Sequence, residues 1–401
     1  MRQKVVVIGH GYTVRLGIIR SLAAIDCEII VIVMTPFGRL RRFLHFEIGV
    51  PVDCNSKYVS KYYYCSSANK ENLINLLLEK CTDAKQKVVL IPDSDFSALV
   101  IDINQERLKE HFLFPHINHT PGAVERWMKK AAQKQLAVEV GMNVANGQIV
   151  SVKNKSYTIP ENLNYPCFTK PLATVGGGKQ FLKRCNHETD LRRVLDAVSN
   201  YRDLDMLVED YKTINSEYAV LGFSDGENVV VPGIIEFVAN SQSHFGIARQ
   251  GQIKPVDGFE GIIDQFKEFV RRIGFCGLFD IDFYESGGVL YFGELNLRFG
   301  GSGYAVTKMG VNLPAMMVKC LCGESYTEMP QYVTGTATYT NERMCIDDWC
   351  YNYITEEECL QMISNADIQF VYDEKDPAPQ KALERQMKLL RIKRKLKKWM
   401  K

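Results

Sequence analysis

The chain has 401 residues, 46% of them hydrophobic and 24% charged. This composition is typical of a globular protein with two or three domains and excludes a disordered or collagen-like chain. The formal net charge of +2 is unevenly distributed, because residues 381–401 hold ten Lys or Arg and one Glu, which leaves −7 for the rest. Since the basic charge is confined to this tail, we expect no nucleic-acid partner.

The twelve cysteines are scattered and lack the CxxC or Cys/His spacing of a zinc site. The opening residues MRQKVVVIGHGY contain no apolar core of signal-peptide length. No apolar run approaches the roughly 18 residues that a membrane span requires. These features predict a cytoplasmic protein.

Residues 1–122 alternate between predicted strands and helices. The predicted elements are a strand, a glycine-containing turn, a helix and two further strands, over residues 4–8, 9–11, 14–24, 28–34 and 87–91. A strand followed by a helix and a second strand is typical of a parallel sheet. The sequence therefore predicts an N-terminal α/β domain.

Residues 123–325 predict a second domain, of the α+β class. Its first helix is expected over 123–140 and ends at Gly141, which serves as the cap. Further strands and helices follow, including two hairpins that pair 217–223 with 229–238 and 278–285 with 289–296. We expect a lid subdomain at about 140–212, a C-terminal extension over 326–375 and a basic amphipathic tail over 376–401.

The strongest chemical signal lies in the second hairpin. Glu294, Asn296 and Arg298 alternate with apolar residues, so they share one face of a strand. Carboxylate and amide oxygens suit Mg²⁺, and a neighbouring Arg stabilises charge on a phosphoryl group. Asp282 joins this face only if the hairpin loop has an odd number of residues, such as five, which sets Asp282 opposite Phe292. The alternative is an exposed hairpin whose outer face is simply polar.

A second motif places a lysine beside a glycine-rich loop. A predicted strand delivers Lys170, and the loop Gly176, Gly177, Gly178 and Lys179 follows. Glycines let backbone N–H groups approach phosphates, and lysines supply positive charge. The P-loop pattern is absent, and a glycine-rich turn with an exposed lysine is the alternative interpretation.

A third motif is an apolar strand that runs into an acidic hinge. The hinge is Glu209, Asp210, Tyr211 and Lys212, and Glu217 follows. A carboxylate and backbone groups can pair with an adenine edge, and a later carboxylate can accept the hydroxyls of a ribose. Solvated loop acids give the same pattern, so the motif is weak on its own.

Together, in this order and spacing, the three motifs resemble the ATP-grasp superfamily, which includes biotin carboxylase, D-alanine ligase and the D-aspartate ligases. The resemblance covers residues 4–325 and implies an ATP-grasp fold with a preceding Rossmann-like domain. The Gly9-His10-Gly11 turn and the segment Leu90-Ile-Pro-Asp-Ser-Asp resemble the first domain of D-aspartate-ligase-like carboxylate–amine ligases more than that of biotin carboxylase.

The resemblance implies a role for each matching position. A family lysine that contacts ATP phosphate lies eleven residues before the glycine closing the first helix, which matches Lys130 before Gly141; Lys129 stays an alternative. The family's second phosphate lysine matches Lys170, its adenine-binding hinge matches Glu209 to Lys212, and its ribose-binding acid matches Glu217. The family's metal ligands match Asp282, Glu294 and Asn296, and its catalytic arginine matches Arg298.

These roles imply an ATP-dependent ligase that uses Mg²⁺ or Mn²⁺ to join a small carboxylate to an amine through an acyl phosphate. The expected catalytic residues are Arg298, Lys170 and Arg249, of which Arg249, with His244, is a candidate for gripping the acceptor. A homodimer is also expected.

Two other classes compete with this interpretation. The Gly9-x-Gly11 turn is typical of NAD-dependent oxidoreductases, although the third glycine is missing. A non-catalytic nucleotide-binding module at a membrane is the other, because Leu389, Ile392, Leu396 and Trp399 recur at helical spacing among lysines. This stripe predicts either contact with an anionic inner membrane face or packing on protein. A membrane contact would make a lipid-linked cell-wall or polysaccharide precursor a plausible acceptor.

Overall fold

A computed structural model describes residues 2–36, 50–172, 179–244 and 246–399, without the side chains of 179 and 393–399. The predicted phosphate loop of Gly176, Gly177 and Gly178 lies outside the described residues, and so does the side chain of Lys179.

The N-terminal part forms a five-stranded parallel sheet in the order β3-β2-β1-β4-β5. Strands β1, β2 and β4 are almost uninterrupted runs of Val and Ile that are buried on both faces, which is the pattern of a parallel sheet covered by helices. The α/β prediction is confirmed. The elements are β1 (Lys4–Gly9), α1 (Tyr12–Leu22), β2 (Glu28–Thr35), β3 (Val59–Ser66), α2 (Lys70–Lys80), β4 (Val88–Pro92), α3 (Asp95–Ile103), α4 (Gln105–Leu108) and β5 (Phe112–Leu113).

Two short helices replace the single helix predicted over 123–140. After β6 (His116–Ile117) come α5 (Ala123–Trp127) and α6 (Lys130–Glu139). The prediction was wrong here because Lys129 adopts an extended backbone, with φ −85° and ψ 119°. Gly141 does close α6, with a φ of +85° that favours glycine.

A small antiparallel sheet follows, in the order β7-β10-β8-β9. Its elements are β7 (Gly147–Val152), β8 (Cys167–Pro171), β9 (Lys183–Cys185), α7 (Glu188–Tyr201) and β10 (Leu204–Asp210). Helix α7 buries Leu191, Leu195 and Val198, whose spacing of four and three residues forms one apolar face. The strands that carry Lys170 and Glu209 are therefore neighbours on a helix-backed sheet.

The largest sheet has nine strands, with the main path β16-β15-β11-β13-β14-β17-β18 and with β12 on β11 and β6 on β15. Its strand after β11 is interrupted at 231–233, unlike the predicted continuous strand over 229–238, because Pro232 has no N–H for the ladder. The elements are β11 (Ser216–Asp225), β12 (Val229–Val230), β13 (Ile234–Asn240), β14 (Ala248–Lys254), α8 (Glu260–Ile273), β15 (Phe275–Ser286), β16 (Val289–Asn296), α9 (Gly303–Lys308), α10 (Leu313–Leu321), β17 (Ala337–Thr340), α11 (Glu342–Cys350), α12 (Glu356–Ser364), β18 (Ile368–Gln369) and α13 (Ala378–Trp399).

The β15–β16 hairpin corrects the predicted register. Ser286 pairs with Val289 across a two-residue turn, and Phe283, not Asp282, lies opposite Phe292. A bulge at Gly293 then sets Asp282 directly opposite Glu294. Position 293 requires glycine because a Cβ there would lie 2.7 Å from the Asp282 carbonyl oxygen. The two carboxylates therefore share a face by a bulge and not by an odd loop.

The C-terminal segment packs on the N-terminal domain. The buried Arg20 guanidinium donates to Asp376 Oδ2 at 3.1 Å and to the Val371 carbonyl at 2.9 Å. Leu383 and Met387 of α13 are buried in a cluster that includes residues of α1 and α11. The first half of the predicted tail is thus part of the folded body. No helix within the described ranges is both long enough and apolar enough to cross a membrane.

Candidate active site

Three lysines converge on two glutamates where α6 and the small sheet meet the hairpin. Lys130 Nζ lies 2.5 Å from Glu294 Oε2, and Lys170 Nζ lies 2.6 Å from Glu209 Oε2. Lys134, one helical turn after Lys130, also forms an ion pair with Glu209. The structure thus brings together residues that are up to 164 positions apart in the chain, Lys130 and Glu294 among them.

Lys134 was not predicted from the sequence. Its position four residues after Lys130 was the available signal, because residues at i and i+4 lie on one face of a helix. Burial lowers the pKa of Lys134, Glu209 offsets part of this effect, and Lys170 and Lys130 lower it further. Three cations crowded in this way favour an anionic ligand.

The structure distinguishes the two alternative lysines. Lys129 is exposed, whereas Lys130 is half-buried and contacts Glu294. The buried Gln133 amide fixes this geometry, because it exchanges hydrogen bonds with the Leu295 backbone at 2.8 and 3.0 Å. Helix α6 is thereby held against β16, with Lys130 directed at the hairpin.

Glu209 is the buried member of the hinge. Burial alone would raise the pKa of Glu209, but Lys170 and Lys134 outweigh that effect and the pKa is lowered. Its carboxylate is therefore charged at neutral pH. Asp210 is half-buried on the alternate side of the strand, where it accepts a hydrogen bond from Asn164 at 3.1 Å.

Lys212, at the end of the hinge, faces the hairpin. Lys212 Nζ lies 5.3 Å from the centre of the Tyr291 ring, which is stacked on Tyr284 at 5.5 Å. Glu217 of β11 is paired with Tyr284 and so lies on the same face of the large sheet. Tyr211, by contrast, lies under the guanidinium of Arg184 at 4.3 Å. The small sheet and the large sheet therefore face each other between the hinge and the β15–β16 hairpin.

Buried and half-buried carboxylates crowd the end of the hairpin. Asp282 is paired with Glu294, and Asp280 is paired with Asn296, so all four side chains share one face. Burial raises the pKa of Asp282 well above its ordinary value, and repulsion from Asp280 and Glu294 raises it further. Burial also raises the pKa of Asp280. This excess of carboxylate is the electrostatic signature that a divalent cation would relieve.

Arg298 joins this cluster to the N-terminal domain. Its guanidinium donates to Asp280 Oδ2 at 3.0 Å and lies 3.4 Å from Asp95 Oδ1, at the start of α3. Burial alone would lower the pKa of Arg298, but the carboxylates of Asp95, Asp280 and Asp282 raise it above its ordinary value. The contact of Asp95 was not predicted, although Asp95 ends the segment Leu90-Ile-Pro-Asp-Ser-Asp that carries the family resemblance.

The donor set fits magnesium. Asp282, Glu294 and Asn296 offer two carboxylates and an amide oxygen on one face, and hard oxygen atoms are what Mg²⁺ prefers. Over the part of the chain that the structure describes, no group of three or more His, Cys, Asp or Glu stands arranged for a metal ion. The predicted ligand set contains only two such residues, Asp282 and Glu294, because its third member, Asn296, is an amide.

His244 and Arg249 lie away from this cluster. Arg249 is on β14, and two strands separate it from β15, which is about 14 Å at the usual strand spacing. Its guanidinium donates to Asp348 Oδ2 at 2.9 Å, and His244 Nε2 lies 2.9 Å from Asp347 Oδ2. The structure therefore gives both side chains carboxylate partners on α11, and their predicted role toward an acceptor stays a prediction.

Gly9 has a packing role. A Cβ at this position would overlap the carboxylate of Asp93, which accepts a hydrogen bond from the His10 N–H at 3.1 Å. The glycine thus makes room for a carboxylate at the end of β4. This removes the main sequence reason for a dinucleotide site at the first turn.

Solved structures share this architecture. The biotin carboxylase domain of the 2-oxoglutarate carboxylase from Hydrogenobacter thermophilus, a dimer in complex with MgADP, ADP and bicarbonate, has a TM-score of 0.65 at 17% identity and covers 84% of this chain and 74% of that chain. N5-carboxyaminoimidazole synthetase from Staphylococcus aureus has a TM-score of 0.60 at 16% identity and covers 89% of this chain and 88% of that chain. The L-amino acid ligase from Bacillus licheniformis has a TM-score of 0.61 at 16% identity and covers 84% of this chain and 79% of that chain. The chain has the ATP-grasp fold with a Rossmann-like N-terminal domain, as predicted.

Sequence comparison agrees with the fold. The large chain of carbamoyl phosphate synthase from Gemmatimonas aurantiaca is 25% identical over 217 residues, which cover 52% of this chain and 20% of that protein. The large chain from Halomonas eurihalina is 23% identical over 290 residues, 70% of this chain and 26% of that protein. This chain thus spans a fifth to about a quarter of these curated relatives. No family model matches it. The chain is therefore similar to ATP-grasp enzymes in fold and, at 23–25% identity, in sequence.

Proposed function

We propose that the protein is an ATP-dependent ligase that joins a carboxylate to an amine and releases ADP and phosphate. The observation that carries the proposal is the convergence of Lys130, Lys134 and Lys170 with the carboxylates of Asp282 and Glu294 between two facing sheets. Cations suited to phosphates stand beside oxygen ligands suited to Mg²⁺, which is the requirement of phosphoryl transfer.

Asp282, Glu294 and Asn296 would hold Mg²⁺ or Mn²⁺, which would neutralise charge on the phosphate oxygens. Lys130, Lys134 and Lys170 are paired with Glu294 and Glu209, so we expect them to exchange those partners for phosphate oxygens when nucleotide binds. The hinge from Glu209 to Lys212 would contact adenine, and Glu217 would contact the ribose.

The chain's own residues then position the reactants. A substrate carboxylate attacks the γ-phosphorus of ATP, ADP leaves, and the resulting acyl phosphate is attacked by the amine, which expels phosphate and loses a proton. Arg298 stands at the carboxylate-rich end of the hairpin, where it would stabilise the transferred phosphoryl group. Catalysis would come mainly from orientation and charge neutralisation.

The branch, the location and the assembly of the enzyme belong to this proposal as well. The Gly9-His10-Gly11 turn and the segment Leu90-Ile-Pro-Asp-Ser-Asp support a place among the carboxylate–amine ligases. The similarity of the fold to a synthetase and to an amino acid ligase agrees with this placement. All twelve cysteines are free, which favours a reducing cytoplasm. The basic end of α13 supports peripheral contact with the inner membrane face, and hence a cell-wall or polysaccharide precursor as acceptor. Homodimer formation is proposed by analogy with the dimeric carboxylase domain.

The test is ADP formation, measured by a coupled assay over a panel of amino acids and other carboxylates with amine acceptors. We expect ADP release that depends on both an acid and an amine, and on Mg²⁺. Glu294→Gln provides the inactive control. ADP release that is equally fast in that variant, or a purified protein that binds NAD and not ADP, would contradict the proposal.

A further inference from the structure

A second site lies at the carboxyl edge of the parallel sheet, outside the lysine cluster. It is a cavity of about 440 Å³ between the ends of β1 and β2, helix α11 and helix α13. A volume of this size is in the range of small-molecule sites, which are mostly apolar with a few polar groups. Its lining divides into a polar end and an apolar end, which favour different parts of a ligand.

The polar end favours an anion. The Arg343 guanidinium lies 5.0 Å from the centre of the Tyr12 ring, and its Nε is 3.4 Å from Asp347 Oδ2. Asp347 is shared with His244, so its negative charge is divided between two partners. Tyr12 is the first residue of α1, an 11-residue helix with no side-chain cap and no acidic residue in its first turn. The start of α1 and Arg343 therefore offer positive charge to the cavity, which Asp347 also lines.

The apolar end is built from α13. Leu383, Met387 and Leu390 line the cavity on the face of the helix that packs against the body. Leu389 also lines the cavity but is 52% exposed, and Ile392 beyond it is 56% exposed. Since residues 389 and 392 lie three apart, they form a stripe that packing on the body does not cover. An apolar path thus leads from the cavity to the outer surface of α13.

The surroundings of this path are basic. Residues 388–398 contain seven Lys or Arg and no Asp or Glu. Exposed apolar residues among lysines on a helix suit the interface of an anionic membrane. A small polar acceptor would need neither the apolar wall nor its continuation to the surface.

We propose that this cavity binds an anionic amphiphile, with a phosphate or carboxylate head at Arg343 and the start of α1 and an aliphatic chain along α13. The amphiphile enters from an anionic membrane surface on which α13 lies. The inference rests on the proposed function only in naming the class of the acceptor, an amine-bearing lipid-linked molecule. Binding of the amphiphile itself does not depend on the ligase reaction.

The first test uses alkyl phosphates as probes, titrated as monomers into the full chain by calorimetry. From octyl to dodecyl phosphate, we expect the affinity to rise about fourfold per methylene, the value for burial of an apolar chain. Met387→Trp fills the apolar end and should lower dodecyl phosphate affinity at least about tenfold. Ile149→Trp, at an exposed position on β7, is the matched control and should bind normally.

The head group is tested separately. Arg343→Gln should weaken dodecyl phosphate about tenfold and leave an uncharged dodecyl glucoside unchanged, whereas Arg343→Lys should retain most of the phosphate binding. Affinity that is independent of chain length, or a Met387→Trp variant that binds like the wild type, would overturn the inference. So would equal loss of both ligands in Arg343→Gln.

The source of the amphiphile is tested with vesicles. Phosphatidylglycerol vesicles should bind the protein and pure phosphatidylcholine vesicles should not, and Ile392→Glu should reduce that binding at least about fivefold. Tyr351→Glu, at an exposed position outside α13, is the matched control. Undiminished binding by Ile392→Glu would refute the membrane route.

Measurement of MgADP binding in the same samples separates this inference from the proposed function. A chain that binds MgADP but no alkyl phosphate would refute the cavity assignment and leave the ligase proposal intact. A chain that binds alkyl phosphate but no MgADP would refute the ligase proposal and leave the cavity assignment intact.

Discussion

Asp282 is half-buried and Asp348 is fully buried, and their environments shift the pKa in opposite directions. Asp282 faces Asp280 and Glu294, and burial together with their repulsion raises its pKa well above the ordinary value. Burial also acts to raise the pKa of Asp348, but hydrogen bonds from Ser243, Ser241 and Arg249 lower it to about 2.

The difference separates a ligand site from a structural network. Asp348 is already satisfied by the chain, so its role is to hold the 241–244 loop and β14 against α11. The carboxylates near Asp282 repel one another, and a folded chain retains such repulsion where a ligand relieves it. The comparison predicts that substitutions at the first site affect activity and that substitutions at the second affect stability.

The largest effect is expected for Glu294→Gln. Loss of the Glu294 carboxylate from the proposed metal site should reduce kcat for ADP formation at least about 1,000-fold, which raises the activation free energy by about 4 kcal/mol. The free energy of unfolding should change by less than about 1 kcal/mol, because the lost Lys130 pair is offset by reduced repulsion. Chemical denaturation and steady-state kinetics measure the two effects.

Glu236→Gln is the matched control for that variant. Glu236 pairs with Lys254 on the opposite face of the large sheet, so the variant should keep its activity. Equal losses of activity in the two variants would show that Glu294 has no special position.

Asp348→Asn should reverse this pattern. Removing the charge leaves Arg249 buried without its anion, and breaking such a pair costs about 3 kcal/mol of unfolding free energy. MgADP affinity should stay within about twofold of the wild type. Urea denaturation followed by calorimetry tests both statements. A stable variant that has lost MgADP binding would break the comparison between the two sites.

Acid should remove the contribution of Asp348. Because its folded pKa of about 2 is below the ordinary value of 3.8, its stabilisation is complete above about pH 4 and is lost as the pH falls toward 2. The shift corresponds to about 2 kcal/mol. The stability difference between the wild type and Asp348→Asn should therefore shrink over this range. A difference that stays constant between pH 5 and pH 2 would contradict the assignment.

The smallest effect concerns Lys134. Replacement by Met removes one of three cations, and ADP affinity should fall about tenfold, or about 1.4 kcal/mol. Gln135→Met changes the next, exposed residue of α6 and should have no effect on ADP affinity. Equal affinities for the two variants would restrict Lys134 to a structural ion pair with Glu209.

The sequence predicted those features that depend on local pattern. The parallel sheet followed from apolar runs, and Lys170 and Glu294 were identified by their motifs. Lys130 was identified by the family resemblance, with Lys129 as the alternative, and it forms an ion pair with Glu294. Features that depend on strand register could not be predicted from the local sequence pattern. The bulge at Gly293 changes the pairing of Asp282 without changing the polar–apolar alternation that identified the strand.

Long-range packing also escaped the local patterns. Gln133 has no distinguishing motif, because its partners are backbone groups of Leu295, 162 residues away. The apolar residues of α13 divide into a buried stripe and an exposed stripe only when the body they pack on is known. Arg249 is polar in a strand, and its buried partner Asp348 belongs to a helix 99 residues later.

The central claim is that Asp282, Glu294 and Asn296 form a divalent-cation site shared with a nucleotide. The most direct measurement is the affinity for ADP with and without Mg²⁺, by calorimetry, in the wild type and in Asp282→Asn. We expect Mg²⁺ to tighten ADP binding at least about tenfold in the wild type and to have no effect in the variant, whose Mg²⁺-free affinity is unchanged. The same enhancement by Mg²⁺ in both proteins would contradict the claim.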